Sequence, residues 1–256
     1  MADLIFKNYP KIDYDIEGTG LEFQKVTNIL NRSTIRNYIK NNGQLFYEYT
    51  LQEGDNAEII AYKYYGNVNM YWIVLMFNNI ADARFDMGLG YKQFNAYVNA
   101  KYPGVTLNVT SVNGLLTKGA RITGQTSGAV GTVLEWDASK KQISIEETSG
   151  DFVVGEQANT VILTDEGKLT STVTFGQSKV GRLQAIHHYE DTTNNVIVDR
   201  DAYFELPSNE RRIVSNLTYE QEINEEKRKI RLLKKEYTSS VVKELETIMN
   251  PKKMVV

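Results

Sequence analysis

Polar and apolar positions alternate most clearly over residues 46–51, where Phe46, Glu48 and Thr50 interleave with Tyr47, Tyr49 and Leu51. A period of two marks a half-buried strand. The pattern breaks at Glu53-Gly54-Asp55, and Asp55 with Glu58 three places on has the form of a capping box that opens a helix. That helix carries Ile59, Ile60, Ala61 and Tyr64 and is expected to stop at Gly66, which has no Cβ to oppose a left-handed cap. A second helix is predicted over residues 70–77; it is apolar nearly all round and must be covered on most sides. Asn78 and Asn79 end it, and Ile80 is placed to begin a return strand. The order is strand, helix, helix, strand.

Around this stretch the pattern is less regular. Residues 1–45 read as an arm, with short extended pieces at 5–9 and 12–16 broken by Pro10 and Gly18-Thr19-Gly20, and no clean period over 23–30 or 33–39. Residues 81–90 form a loop, and an amphipathic helix follows from Tyr91, with Phe94, Tyr97 and Val98 on one face and a stop at Pro103-Gly104. From Val105 glycines punctuate short β-branched runs at 105–112, 129–136, 142–147 and 161–163, with a hairpin turn at Asp137-Ala138-Ser139-Lys140. Such spacing predicts a small all-β domain over 105–182. Residues 183–217 read as connecting chain with a strand at Val196-Ile197-Val198. Thr218 with Gln221 predicts a helix start, acids early and bases late in that helix suit its dipole, and Ser239-Ser240 is expected to cap a last helix. The expected fold is α+β in four parts: arm 1–45, βααβ unit with its following helix 46–104, β insertion 105–182, and connecting segment with a C-terminal helical pair 183–256.

Composition narrows the chemistry. Thirty-two acids against 29 bases leave a net charge of -3, which steers the chain to neither nucleic acid nor an anionic membrane. There is no cysteine, so disulfides, thiolate metal sites and cysteine nucleophiles are excluded. The first seven residues lack a secretory pattern, and the apolar run 70–77 is under half of a bilayer span, so use without export is expected. His187-His188 with Glu190 and Asp191 is the one metal-capable cluster; adjacent histidines project differently in regular structure, which predicts a structural or surface role and no metal. The glycines of 124–131 suggest a phosphate loop but lack its lysine and following helix. Glu146, Glu147, Glu156, Asp165 and Glu166 read as surface acids. No catalytic residue, cofactor or small-molecule substrate is expected, so the chain reads as not an enzyme.

The residues Tyr49, Gly54-Asp55, Ile60-Ala61, Tyr65-Gly66, Ile73 and Asn78-Asn79-Ile80 resemble a LysM module. With Tyr71-Trp72, and with the C-terminal pattern Tyr219-Glu220, Asn224-Glu225, Lys227-Arg228, Ile230, Leu232-Leu233-Lys234 and Tyr237, the chain is similar to the baseplate wedge proteins of contractile-tailed phages, of the gene product fifty-three type. Met87-Gly88-Leu89 departs from that family's proline-bearing entry to the next helix, and the β insertion is absent from its shorter members. The resemblance implies a structural virion protein, assembled in the host cytoplasm, that contacts other wedge proteins and links neighbouring wedges in a six-fold baseplate. The alternative is a LysM-type peptidoglycan-binding module, with Gly54, Asp55, Asn78 and Asn79 on two adjacent loops. For the assembly reading, the attachment surface is expected at Val241, Val242, Leu245, Ile248 and Met249, an apolar stripe a short terminal helix cannot bury alone, with Lys227, Arg228 and Arg231 at its polar rim.

Overall fold

The computed structural model describes residues 9–18, 20–28, 42–164 and 167–249. The extended piece expected at 5–9 (save Tyr9), the run 33–39, Arg32, Asp165, Glu166 and Pro251 lie outside the described residues, as do the side chains of Ile248 and Met249. The chain is α+β and divides into two compact units, Met1–Tyr91 with Asn224–Val256, and Lys92–Ile223. In chain order the elements are β1 (Lys11–Tyr14), β2 (Gln24–Thr27), β3 (Phe46–Thr50), α1 (Ala57–Tyr65), α2 (Tyr71–Phe77), α3 (Ala83–Asp86) and α4 (Tyr91–Lys101). The β-rich middle holds β4 (Val105–Asn113), β5 (Arg121–Gly124), β6 (Val130–Asp137), β7 (Gln142–Ser149), β8 (Gln157–Thr164), β9 (Gly167–Gly181), β10 (Ile186–Asp191) and β11 (Val196–Val198). Then come α5 (Arg200–Glu205), β12 (Arg211–Ser215), α6 (Asn216–Arg228), β13 (Lys229–Leu233) and α7 (Lys235–Met249).

In the first unit β1 and β2 form an antiparallel hairpin, Lys11 opposite Thr27 and Tyr14 opposite Gln24. The Asp15 carboxylate gathers the N–H groups of Glu17, Gly18 and Gly20 and so holds its turn. The predicted start of α1 is corrected by one residue. Asn56, with extended backbone, is the cap and accepts from the Ile59 N–H at 2.7 Å; Asp55 is used up closing the preceding turn, where it accepts from the Gln52 N–H at 2.9 Å. Gly66 ends the helix at φ 75°, the left-handed position expected of it.

The return strand does not begin at Ile80. Its N–H folds back to the Leu75 carbonyl at 2.9 Å, and β3 pairs instead with β13, Lys229 opposite Thr50 and Leu233 opposite Phe46. The helix expected through 227–235 therefore stops at Arg228. Ile230 and Leu232 alternate with Lys229 and Arg231, and both bury in the first unit, so strand pairing and core burial act together on this segment. The ladder's last bond runs from the Lys234 N–H to the Leu45 carbonyl at 2.9 Å, and α7 starts at the next residue; Ser239 and Ser240 are exposed inside it, not at its cap. Likewise α6 begins at Asn216, capped by the Ser215 hydroxyl that accepts from the Thr218 N–H at 3.1 Å, ahead of the predicted Thr218 cap. The loop 81–90 contains α3. Two clusters fill this unit: Leu51, Ile60, Ala61, Val74, Ile230 and Leu232, and then Phe46, Trp72, Ile73, Phe77, Leu233 and Leu245.

In the second unit six antiparallel strands close in the order β4-β7-β6-β5-β8-β9, with β4 pairing β7 on one side and β9 on the other. Leu107, Ile122, Val133, Ile143, Ile145 and Val173 fill the interior, with Phe152 edge-on to Phe175 at 5.7 Å. Gly131 lets β6 lie close against β7: a Cβ there would lie 2.6 Å from the Ile145 side chain and 2.7 Å from the Glu146 carbonyl. Closure removes the edges a six-stranded sheet would otherwise expose. Residues 183–217 are more than connecting chain: they build a three-stranded sheet, β11-β10-β12, with α5 on Tyr189.

Candidate functional site

The residues expected to meet a glycan are placed by β3, α1 and α2. Asp55 is closed off from solvent and accepts from the Tyr49 hydroxyl at 2.6 Å, the Gln52 N–H at 2.9 Å and the Lys63 ammonium at 2.7 Å. Burial raises its pKa, but the bonds from Lys63, Tyr49 and Gln52 outweigh that and hold the carboxyl below the usual range. Burial and the bond to Asp55 push the Tyr49 hydroxyl up to about 12. Gly54 supplies a turn at φ 82°. Asn78 donates to the carbonyls of Val74 and Arg231, each at 2.8 Å, and accepts from the Arg231 N–H at 2.8 Å. Its amide thus pairs both backbone groups of one β13 residue on the side away from β3, doing there what a further strand would do. Asn79 follows in the left-handed region at φ 56°. The hydrogen bonds described for Asp55 join its loop to β3 and α1, and those of Asn78 join its own to β13.

Of the expected attachment stripe, Val241, Val242 and Leu245 are turned inward. Leu245 is 7% exposed and sits with Trp72, Ile73 and Phe77, and Val241 and Val242 pack half-buried on the same cluster. The reason is local: β13 delivers α7 directly beside α2, whose all-round apolar surface needs a cover. Its supposed polar rim is also engaged within the unit. Lys227 donates to the Phe85 carbonyl at 2.8 Å, Arg228 donates twice to the Leu51 carbonyl, and the Arg231 guanidinium lies 5.5 Å over the Phe46 ring. Large apolar side chains remain in solvent elsewhere, at Tyr14, Ile16, Leu21 and Phe23 of the β1–β2 hairpin and at Phe85 of α3.

In the second unit the turn at 124–131 contributes two N–H groups to a cradle filled by the chain itself. The Glu156 carboxylate accepts from the N–H groups of Thr126, Ser127 and Val153 and from the Ser127 hydroxyl, at 2.7–3.1 Å. Glu156 is therefore buried, not a surface acid; burial raises its pKa, and these donors outweigh that and lower it. Glu147 accepts from Lys179 at 2.6 Å and from the Phe152 N–H at 3.0 Å. Buried Glu220 accepts from the Lys101 ammonium and the Tyr102 hydroxyl, each at 2.7 Å. The two histidines converge, against the expectation that neighbours diverge, because the ladder shifts register between Ile186 and His188. Their Nδ1 atoms lie 2.7 Å apart.

Comparison with protein-family models and with curated protein sequences gives no significant match. Among the described residues no group of three or more histidine, cysteine or acidic side chains is placed to hold a metal ion, and no helix is long and apolar enough to cross a membrane.

Three features escaped the sequence reading. The Nδ1 contact needs a bulge that no local pattern announces. The Glu156 cradle joins residues 30 apart, and only the glycines around it were visible. The role of Asn78 as a strand substitute depends on a segment 153 residues later in the chain.

Proposed function

We propose that the protein is a structural subunit of a large virion assembly, a wedge component of a contractile-tail baseplate, built on a LysM-like unit that serves as a scaffold. Support for the LysM-like part lies in the order of β3, α1 and α2, the Tyr65-Gly66 stop, and β13 standing in for the return strand with Asn78 against it. Glycan binding is the weaker reading, since the polar groups of Asp55 and Asn78 that would meet a sugar are engaged inside the unit. The observation that carries the assembly reading is the hairpin β1–β2. An isolated two-stranded hairpin gains little stability in water, yet this one places Ile16, Leu21 and Phe23 in solvent at 60%, 85% and 62% exposure. Attachment is thereby assigned to the hairpin and not to α7. The test is co-expression with the other wedge proteins of the same virion. Ile16→Asp with Phe23→Asp is expected to leave the melting temperature within a degree or so of wild type and to abolish co-purification of the complex. Co-purification of the variant at wild-type yield overturns the assignment, and retention of the wild-type chain on peptidoglycan would favour the glycan reading instead.

A further inference from the structure

The chain has two histidines, and they are bonded to each other. We propose that the His187–His188 pair is an acid-sensitive latch between β10 and the first turns of α6. His188 Nε2 lies 2.9 Å from a Glu190 carboxylate oxygen, a contact that requires the proton on Nε2 in the neutral ring. His188 Nδ1 then carries a lone pair, and it accepts the Nδ1–H of His187 at 2.7 Å. This leaves His187 stacked flat on Tyr219 of α6, with ring centroids 3.8 Å apart. The tautomers of both rings follow from the carboxylate at one end of the chain of bonds.

One added proton leaves the Nδ1–Nδ1 bond possible, because one ring of the pair still offers a lone pair. With a second proton on the pair, two N–H groups oppose each other between two cationic rings. No acceptor remains, so the bond breaks and His187 leaves its stacked position on Tyr219. The groups facing the pair are Glu190 on β10, Tyr219 and Glu220 on α6, Lys101 on α4 and Lys140 in the β6–β7 turn; Arg212 on β12 meets Glu190 at 3.4 Å and also Glu222. Lys101 and Lys140 oppose charging of His187, and Glu220 favours it. Burial, His188 and Lys140 together hold the His187 pKa below its ordinary value. A depressed histidine pKa stabilises the fold above the unfolded value of ~6.5, and that contribution is lost as the pH falls through and below it.

The experiment is a ¹⁵N NMR titration of the imidazoles in the full chain from pH 8 to pH 4.5, with the Tyr219 ring signals followed in parallel. The expected result is His188 as the Nε2–H tautomer at pH 8, two separate protonation steps, and movement of the Tyr219 signals with the second. In His188→Gln the midpoint of His187 is expected to rise by roughly half a pH unit, because a coupled neighbour has been removed. Two independent titrations near ~6.5 with Tyr219 unmoved overturn the latch, as does an unchanged His187 midpoint in the variant. If His188→Gln does not fold, the tautomers and the Tyr219 response of the wild-type chain decide alone.

Discussion

At the scale of single residues, the buried side-chain polar atoms of the described residues are satisfied with one exception. Among the described residues, the Tyr64 hydroxyl is the buried side-chain polar atom with no partner, although its ring packs edge-on with Tyr65 at 4.8 Å and lies under Lys235. A buried donor without an acceptor costs free energy that the same ring without oxygen does not. Tyr64→Phe is therefore expected to stabilise the protein by about 1 kcal/mol, seen as a higher midpoint in urea with unchanged slope. A lower midpoint would mean that the hydroxyl has a partner in solution. Asp55 and Asn78 are the opposite case: Asp55 ties its loop to the Gln52 N–H and to the Tyr49 and Lys63 side chains, and the three contacts of Asn78 hold backbone in place.

At the scale of elements, α7 changes from a docking surface to a structural cover. Leu245 touches the cluster of Trp72, Ile73 and Phe77, so truncation leaves a cavity where a solvent-exposed stripe would leave none. Leu245→Ala is expected to cost ~2–5 kcal/mol, measured as a loss in unfolding free energy, whereas Lys243→Ala on the exposed side should change it by less than ~0.5 kcal/mol. Equal and small effects at both positions would return α7 to the surface. The strand β13 explains this change of role. Once Ile230 and Leu232 pair against β3, the next helix starts within reach of α2 and has its apolar face supplied with a partner.

At the scale of the whole molecule, one unit is interrupted by the other. The first unit leaves off at Tyr91 and resumes at Asn224, and the two ends of the interruption are fastened. Asn224 accepts from the Leu89 N–H at 2.7 Å and donates to the Leu89 carbonyl at 3.0 Å, and Gly88 lies so near Arg228 that a Cβ would come within 2.9 Å of its nitrogen. Ends this close let an inserted unit be replaced by a short linker without strain. A chain with residues 92–223 exchanged for a short Gly/Ser linker is expected to keep a cooperative melting transition and the dispersed methyl signals of the Trp72 cluster. Loss of both would show that the first unit depends on the second.

The sequence by itself determined the elements whose cause is local. Alternation over 46–51, a glycine at the end of α1, the all-apolar run of α2 and the turn at Asp137 each require only neighbours within a few residues, and each stands where the pattern puts it. Four of the six barrel strands were legible for the same reason, while β5 is only four residues long and β9 begins at a glycine that suggested a turn. Tertiary structure decided the rest. Residues 229–233 have a basic helical composition, and only the free edge of β3 makes them a strand. Asn78 and Glu156 acquire their roles from groups that chain closure brings to them, at separations local propensity does not register, and His188 meets its neighbour through a register shift in the β10–β12 ladder. Burial acts the same way on α7: an apolar stripe states that something must cover it, and the path of the chain alone determines that the cover is the protein's own core.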